Sequence, residues 1–401
     1  MSDWTSKTGD ARILHGSCLE RLRDLPEGSV QCCVTSPPYW GLRDYGHADQ
    51  LGLEPTPEQY VANMVAVFRE VRRVLRGDGV LWLNLGDSYA TGGGAVGRCP
   101  GGGDQGERFI RAGMVNTQPN RMHLEGLEPK DLVGIPWRVA FALQADGWWL
   151  RQDIIWHKPN PMPESVTDRC TKAHEYIFLL TKSARYYYDS EAIKEAAETS
   201  GQSGLGFYPA RAAAMGRAAS GNEAKDPTEG IRPSTRNRRS VWTVSTKPYS
   251  GAHFATYPPD LIEPCILAGT SAEGCCAVCG AAWERVVEHT PGQHNSTGSE
   301  YQREKSSGVQ SGGTSTTTLS GVPGTTKTVG WQPTCQCNAA KRPCLVLDPF
   351  NGSGTTGEVC IKHGRHYVGC EINQDYIELA KKRLQGAARS YGTPLFDKAT
   401  T

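Results

Sequence analysis

An apolar run over residues 30–34 ends in Thr35-Ser36-Pro37-Pro38-Tyr39-Trp40, and this junction constrains the fold more than any other stretch of the chain. The run has the length and composition of a buried strand. Two consecutive prolines remove two N–H donors and hold the backbone extended, so a sheet cannot continue through them. A rigid turn at the carboxyl end of a strand is where open α/β sheets bind ligands. There Ser36 supplies a hydroxyl, the prolines leave carbonyls without a local N–H partner, and Tyr39 and Trp40 offer flat faces for stacking. Polar acceptors beside an aromatic plate suit an exocyclic amino group on a planar base. The same string also fits a plain proline turn with its aromatics in the core.

A second strand-to-helix junction lies far downstream. Residues 344–348 are apolar up to Asp348, and Pro349-Phe350-Asn351-Gly352-Ser353-Gly354-Thr355-Thr356 then leads into a helix predicted over 355–363. Gly352 and Gly354 permit backbone conformations and close approaches that a Cβ would block. Phosphate and dinucleotide binders share such turns. The next apolar run, 366–370, ends in Glu371-Ile372, where a carboxylate can accept both hydroxyls of a ribose and Ile372 can pack on adenine. The chain has no Gly-Lys-Ser/Thr phosphate signature, which argues against an NTPase.

Ser36-Pro37-Pro38-Tyr39 resembles the catalytic tetrapeptide, Ser/Asp/Asn-Pro-Pro-Tyr, of the amino-group DNA methyltransferases, and residues 345–356 resemble the S-adenosylmethionine loop of the same family. In this order the two resemble the β-type arrangement, in which the catalytic half precedes the cofactor loop. The resemblance covers roughly residues 11–90, 131–184 and 240–385. It implies an α/β fold with a doubly wound, mostly parallel, Rossmann-like sheet. S-adenosylmethionine is the implied methyl donor and double-stranded DNA the implied substrate. Ser36, Pro37, Pro38 and Tyr39 become the catalytic candidates. Asp348, Pro349, Phe350, Gly352, Ser353, Gly354, Thr355, Thr356, Glu371 and Ile372 become the cofactor candidates.

His253-Phe254-Ala255-Thr256 resembles the segment of the family that closes over the methionine part of the cofactor, which adds His253, Phe254 and Thr256. The family's opening Gly-Asp-Cys is here Gly16-Ser17-Cys18; Ser17 and Cys18 are further cofactor candidates, with Ser17 as a helix N-cap the alternative. Serine in the first position of the tetrapeptide is commoner among the N4-cytosine enzymes and aspartate among the N6-adenine ones. The expected reaction is methylation of N4 of a flipped-out cytosine, with N6 of adenine as the alternative. Carbon-5 methylation needs a Pro-Cys nucleophile; Pro343-Cys344 is such a pair, but Cys344 reads better as small and buried at a strand start. A non-catalytic nucleic-acid-binding protein on this fold is the rival of a different class, against which the intact motifs weigh. No residue excludes RNA.

The remaining segments alternate between helix and strand patterns, as a doubly wound sheet requires. Strand, short helix and strand are predicted over 12–16, 17–25 and 30–34, a helix over 57–75, and a strand over 80–85 after Gly77-Asp78-Gly79. Residues 132–146 and 147–156 give a further helix and strand, 175–180 a strand, 261–268 a helix, and 375–384 a last helix before a frayed polar tail. Residues 91–106 carry eight glycines in sixteen and read as a disordered connector or a lid that orders on DNA.

The 43 basic and 42 acidic side chains nearly cancel, so a nucleic-acid surface must come from local clustering. Residues 208–247 hold eight Lys/Arg against three Asp/Glu, which makes Arg232, Arg236, Arg238 and Arg239 the DNA-contact candidates, joined by Arg43 and Lys158. Fourteen cysteines in a long chain without a secretory leader argue for thiols and a metal site rather than disulfides. Cys276-Ala-Val-Cys279 and Cys335-Gln-Cys337 are two knuckles able to supply a shell of four thiolates for structural zinc; Cys275 could replace Cys276, and metal-free cysteines are the alternative.

The expected organisation is a catalytic half over 1–184, a DNA-facing insertion over 185–249 and a cofactor-closing segment over 250–272. A zinc-ribbon-like insertion with disordered 289–328 follows over 273–340, then a cofactor half over 341–387 and a tail over 388–401. The N-terminus has no apolar signal and no window approaches a membrane span, so a soluble cytoplasmic protein is expected. A homodimer and a cognate restriction endonuclease stay open as partners.

Overall fold

A computed structural model of the chain describes residues 3–42, 47, 49–90, 125–196, 235–247, 256–290, 293–294, 321–322 and 325–391. The described residues group into two units: Met1–Ile193 with Arg239–Glu284 and Pro333–Thr401, and Lys194–Arg238 with Arg285–Gln332.

The first unit is built on one sheet. Its strands in chain order are β1 (Trp4–Thr5), β2 (Ala11–His15), β3 (Val30–Thr35), β4 (Leu75–Leu85), β5 (Trp149–His157), β6 (His174–Thr181), β7 (Val241–Thr243), β8 (Leu345–Asp348) and β9 (His366–Glu371). They lie side by side as β1-β2-β9-β8-β3-β4-β6-β5-β7. The pairs β2/β9, β9/β8, β8/β3, β3/β4 and β5/β7 are parallel, while β6 runs against both neighbours and β1 against β2. This is the doubly wound, mostly parallel α/β sheet expected.

Both faces of the sheet are covered, because successive side chains of its strands alternate between two cores. Leu14, Cys33, Leu81 and Leu83 pack with α1 (Cys18–Arg23), α2 (Pro57–Val74) and α3 (Ile135–Ala145). Ile13, Cys32, Val80 and Trp82 point the other way, against α4 (Pro259–Gly269), α5 (Thr355–Lys362) and α6 (Gln374–Tyr391). Helix α2 starts where its sequence says it should. Thr56 Oγ1 accepts the Gln59 N–H at 3.2 Å, Pro57 occupies the first turn, and Tyr60, Met64, Val67, Phe68, Val71 and Val74 form the buried face.

The C-terminal strands β8 and β9 insert between β2 and β3, so the chain leaves β3 toward one side of the sheet and β8 toward the other. The carboxyl ends of β3 and β8 thus flank a topological switch point, where such sheets bind ligands.

Four expectations need correction. Strand β4 begins at Leu75, because Leu75 already pairs with Val30 of β3; Gly77–Gly79 fall in the bulge that follows, and pairing resumes with Val80 opposite Cys32. The last helix continues to Tyr391, since Ala387 and Ala388 still pack into the core. Trp40 is 1% exposed and donates its indole N–H to the Glu54 carbonyl at 2.8 Å, so it is core rather than a stacking face. Parts of the stretch expected to be disordered over 289–328 are paired: Trp283–Thr290 with Thr325–Pro333, and Gln293–His294 with Gly321–Val322. The Gly-rich segment 91–106 lies outside the described residues. No helix among the described residues is long and apolar enough to cross a membrane.

Candidate active site

A cleft of about 1090 Å³ opens along the carboxyl ends of β2, β3, β4, β8 and β9. Such a volume holds a nucleoside-sized ligand with a base beside it. Its walls come from two turns that are 313 residues apart in sequence yet joined by one hydrogen bond. Thr35 Oγ1, at the end of β3, donates to Asp348 Oδ1, at the end of β8, at 2.6 Å.

The Asp348 side of the cleft is built from the glycine-rich turn. Asp348 is itself buried and accepts from Thr35 Oγ1, from the Phe350 N–H at 3.0 Å, from Tyr257 Oη at 3.0 Å and from Thr356 Oγ1 at 2.7 Å. Burial pushes its carboxyl up against the pull of these bonds. Asp348, Gly354 and Thr356 therefore stand behind the cleft and shape it, whereas Pro349, Phe350, Gly352, Ser353 and Thr355 line it. Gly354 has φ of 79° and would bring a Cβ to 3.0 Å from Ala380 of α6, so it lets the turn dock on that helix. Ser353 Oγ and Thr355 Oγ1 both accept from Arg383, at 2.9 and 2.8 Å.

Glu371, at the end of β9, accepts the Gly352 N–H at 2.7 Å through one oxygen and the Asn373 N–H at 2.9 Å through the other. It faces the cleft, is enclosed elsewhere, and pairs with no cation among the described residues. Burial pushes its carboxyl up to about 7. A carboxylate held this way has acceptor capacity left for two hydroxyl donors, which fits the ribose of S-adenosylmethionine. Ile372, Ser17, Cys18 and Thr256 line the same cleft. Ser17 occupies the N-cap position of α1 without capping it through its side chain, so its hydroxyl remains for the cleft. Burial pushes the Cys18 thiol up to about 12, keeping it neutral. His253 and Phe254 lie outside the described residues.

On the β3 side, Ser36, Pro37, Pro38 and Tyr39 all line the cleft. Ser36 Oγ donates to Tyr39 Oη at 3.3 Å, and Tyr39 Oη donates to Glu175 Oε2 at 2.7 Å and lies 3.1 Å from Asn84 Oδ1. Burial, with Glu175 adding to it, pushes the Tyr39 phenol well up, so it stays protonated. Asn84 Nδ2 donates to Glu175 Oε2 at 3.2 Å, and Lys158 pairs with Glu175 Oε1 while lying 4.3 Å from the centre of the Trp156 ring. Tyr60 Oη holds the Pro38 carbonyl at 2.9 Å, and Gly86 leaves room for the Tyr39 ring, to which a Cβ would approach at 2.5 Å.

Several of these residues were not assigned roles from sequence. Asn84 and Glu175 belong to strand patterns, and Tyr257 sits beside Thr256 in the cofactor-closing string. The one signal for Asn84 is a polar side chain inside an apolar strand; Glu175 is a carboxylate at a strand's first residues. Lys158, expected on DNA, sits in the cleft beside Glu175. Arg236 pairs with Glu195 at 2.7 Å within the second unit, which also holds Arg238, whereas Arg239 belongs to the first and accepts the Trp242 indole N–H on its carbonyl. Arg43 and Arg232 lie outside the described residues.

Cys276, Cys279, Cys335 and Cys337 come together with their sulfurs all within 4.8 Å of one another. A tetrahedral shell with zinc–sulfur bonds of about 2.3 Å separates its sulfurs by about 3.8 Å, so a small inward movement closes it. The Cys279 N–H pulls the Cys276 thiol down to about 6, while hydrogen bonding with Cys279 pushes Cys337 up to about 12. Cys275 is turned away: its thiol reaches the Pro343 carbonyl at 3.7 Å, so it is not an alternative ligand. Cys344 is fully buried, as a structural cysteine.

Comparison with known proteins gives one answer throughout. The family model described as DNA methylase, N6_N4_Mtase, matches residues 30–277 and 339–382. The type II methyltransferase M.Cfr9I of Citrobacter freundii is 40% identical over 94% of this chain and 88% of its own. M.SmaI of Serratia marcescens, also a type II methyltransferase, is 38% identical over 94% and 92%. Among solved structures, PvuII DNA methyltransferase (cytosine-N4-specific) superposes with a TM-score of 0.50 at 14% identity, over 98% of this chain and 95% of that one, a likeness of fold. With its two turns meeting in one cleft and a family match across most of its length, the chain belongs to the N6/N4 DNA methylase family and is an S-adenosylmethionine-dependent DNA methyltransferase.

Proposed function

We propose that the methyl group is placed on the exocyclic N4 of cytosine in double-stranded DNA, on a base flipped out of the helix into this cleft. The observation that carries the amino-group reading is the Ser36 hydroxyl, which spends its proton on Tyr39 Oη at 3.3 Å and presents lone pairs to the cleft; the choice of cytosine over adenine rests on that first residue being serine. An exocyclic amine is a poor nucleophile because its lone pair is delocalised into the ring. Ser36 Oγ and the Pro37 carbonyl accept its two N–H groups, drawing the nitrogen toward tetrahedral geometry and freeing the lone pair. The Tyr39 ring lies against the base, offsetting part of the few kcal/mol lost on unstacking. The bound S-adenosylmethionine supplies an electrophilic methyl. Glu371 takes the ribose hydroxyls, Ile372 the adenine, and Pro349 to Ser353 the remaining wall. Because direct displacement depends on alignment more than on a strong base, serine suffices in the first position.

The basic stretch with Arg236, Arg238 and Arg239, and Arg43 and Arg232 outside the described residues, is proposed to neutralise DNA phosphates. The cluster of four cysteines is proposed to hold structural zinc. A partner endonuclease is the expectation that type II names carry. Substituting Ser36→Ala should lower single-turnover methylation on the order of a hundredfold while donor binding persists. Wild-type rates in that variant would refute the assignment.

A further inference from the structure

The two hydroxyls and the carboxylate beside them form a line that ends at a group outside the tetrapeptide. We propose that Glu175 is the positioning residue and terminal proton acceptor of a relay running from the target amine through Ser36 and Tyr39. The proposal rests on the amino-methyltransferase reading above and holds for either base.

Its first support is directional. Both oxygens of Glu175 are engaged: Oε1 by Lys158, Oε2 by Tyr39 Oη at 2.7 Å and Asn84 Nδ2 at 3.2 Å. A carboxylate only accepts, and Glu175 Oε2, charged and at 2.7 Å, takes the Tyr39 proton in preference to the neutral Asn84 Oδ1 at 3.1 Å. The Tyr39 oxygen then accepts from Ser36, and Ser36 is left accepting toward the cleft. Without Glu175 only the neutral Asn84 amide oxygen, at 3.1 Å, would orient the two hydroxyls, and Ser36 would be freer to present its proton to an amine that has only protons to give.

The second support is the balance of the reaction. As the nitrogen forms its bond to carbon with its lone pair, the sulfur–carbon bond breaks and its electron pair stays on sulfur. The nitrogen now carries a positive charge, and its N–H electrons return to it as a proton leaves for Ser36 Oγ. Ser36 passes its own proton to Tyr39 Oη, and Tyr39 passes its own to Glu175 Oε2. Both hydroxyls are regenerated, the carboxylate becomes a carboxylic acid, and that proton leaves to water at the cleft wall where Glu175 stands. No group in the relay needs to be a strong base, because the methylated ammonium is strongly acidic until its lone pair rejoins the ring.

The third support is spatial economy. Asn84 and Lys158 hold the carboxylate from β4 and from just past β5, and Gly86 leaves the space in which the Tyr39 ring reaches it. Neither role would be required of residues that merely filled the cleft.

The test compares wild type, Glu175→Gln, Tyr39→Phe and the double variant on duplex DNA. It reads kcat and KM for DNA and, independently of turnover, donor affinity by titration. Each single variant should lose on the order of a hundredfold in kcat, with KM and donor Kd within about twofold of wild type. The double variant should be no slower than the slower single within about threefold, because one cut already breaks the relay. Wild-type kcat in Glu175→Gln, or losses that multiply in the double variant, would overturn the proposal. Should Glu175→Gln fail to bind donor, Tyr39→Phe decides alone, and a wild-type kcat there overturns it. A wild-type protein that methylates no exocyclic amine would instead refute the function on which the relay rests.

Discussion

At the scale of single residues, the site depends on a few side chains whose partners fix their roles. Glu371 shows this most directly, because burial pushes its carboxyl up to about 7 while the ribose contact proposed for it calls for the ionised form. Under that proposal the free protein holds a proton there below that pH and releases it as the donor binds. Donor Kd should therefore be flat above about pH 8 and rise by about tenfold per unit below about 7, a dependence that Glu371→Gln should abolish; isothermal titration across about pH 5.5–8.5 reads both. Asp348 shows the reverse lesson. Its place in the turn suggested a cofactor contact, yet it is consumed by Thr35, Phe350, Tyr257 and Thr356 and acts as the clamp between the two turns.

At the scale of elements, the glycines and prolines are where chain geometry sets chemistry. The Tyr39 ring fits only because Gly86, just past β4, has no side chain. Gly86→Ala should displace the ring, cost about 1–3 kcal/mol of stability and lower kcat on the order of a hundredfold with donor Kd retained, measured by urea unfolding and single-turnover rates. Most elements were legible beforehand, since α2 carries clean helical periodicity ahead of Gly77, and β3, β8 and β9 are short apolar runs, the first two closed by Pro37 and Pro349. What stayed hidden follows physical lines. The early start of β4 at Leu75 was hidden because Gly77 and Gly79 do interrupt the ladder; Leu75 pairs with Val30 ahead of that bulge, a tertiary contact with no local signature. Helix α6 runs on to Tyr391 because small Ala387 and Ala388 are buried by tertiary packing that a polar composition conceals. Trp40 looked like a stacking face, but its indole N–H finds the Glu54 carbonyl in the core. Residues 171–175 resemble a family segment near the target-base pocket, but the contact of Glu175 with Tyr39 was not legible, because a 136-residue separation is closed only by the antiparallel insertion of β6 beside β4.

At the scale of the whole first unit, the proline turn after β3 and the glycine-rich turn after β8 meet because β8 is laid beside β3. The cluster of four cysteines ties down the opposite ends of those same strands. The Gly280 carbonyl at its knuckle accepts from Gln31 Nε2 at 3.2 Å, and Gln31 Oε1 accepts the Leu345 N–H at 2.7 Å, linking the starts of β3 and β8. Zinc there would hold the frame and stay apart from the chemistry. Purified protein should carry about one zinc per chain by elemental analysis. Chelation should lower the melting midpoint on the order of 10 °C while the folded fraction keeps its donor Kd. Less than about half a zinc per chain would count against the site.

The most direct test of the central claim is mass spectrometry of nucleosides from duplex DNA treated with the protein and S-adenosylmethionine. N4-methylcytosine should accumulate with wild type and fall on the order of a hundredfold with Ser36→Ala. N6-methyladenine in its place would contradict the assigned base, and 5-methylcytosine alone would contradict the amino-group mechanism.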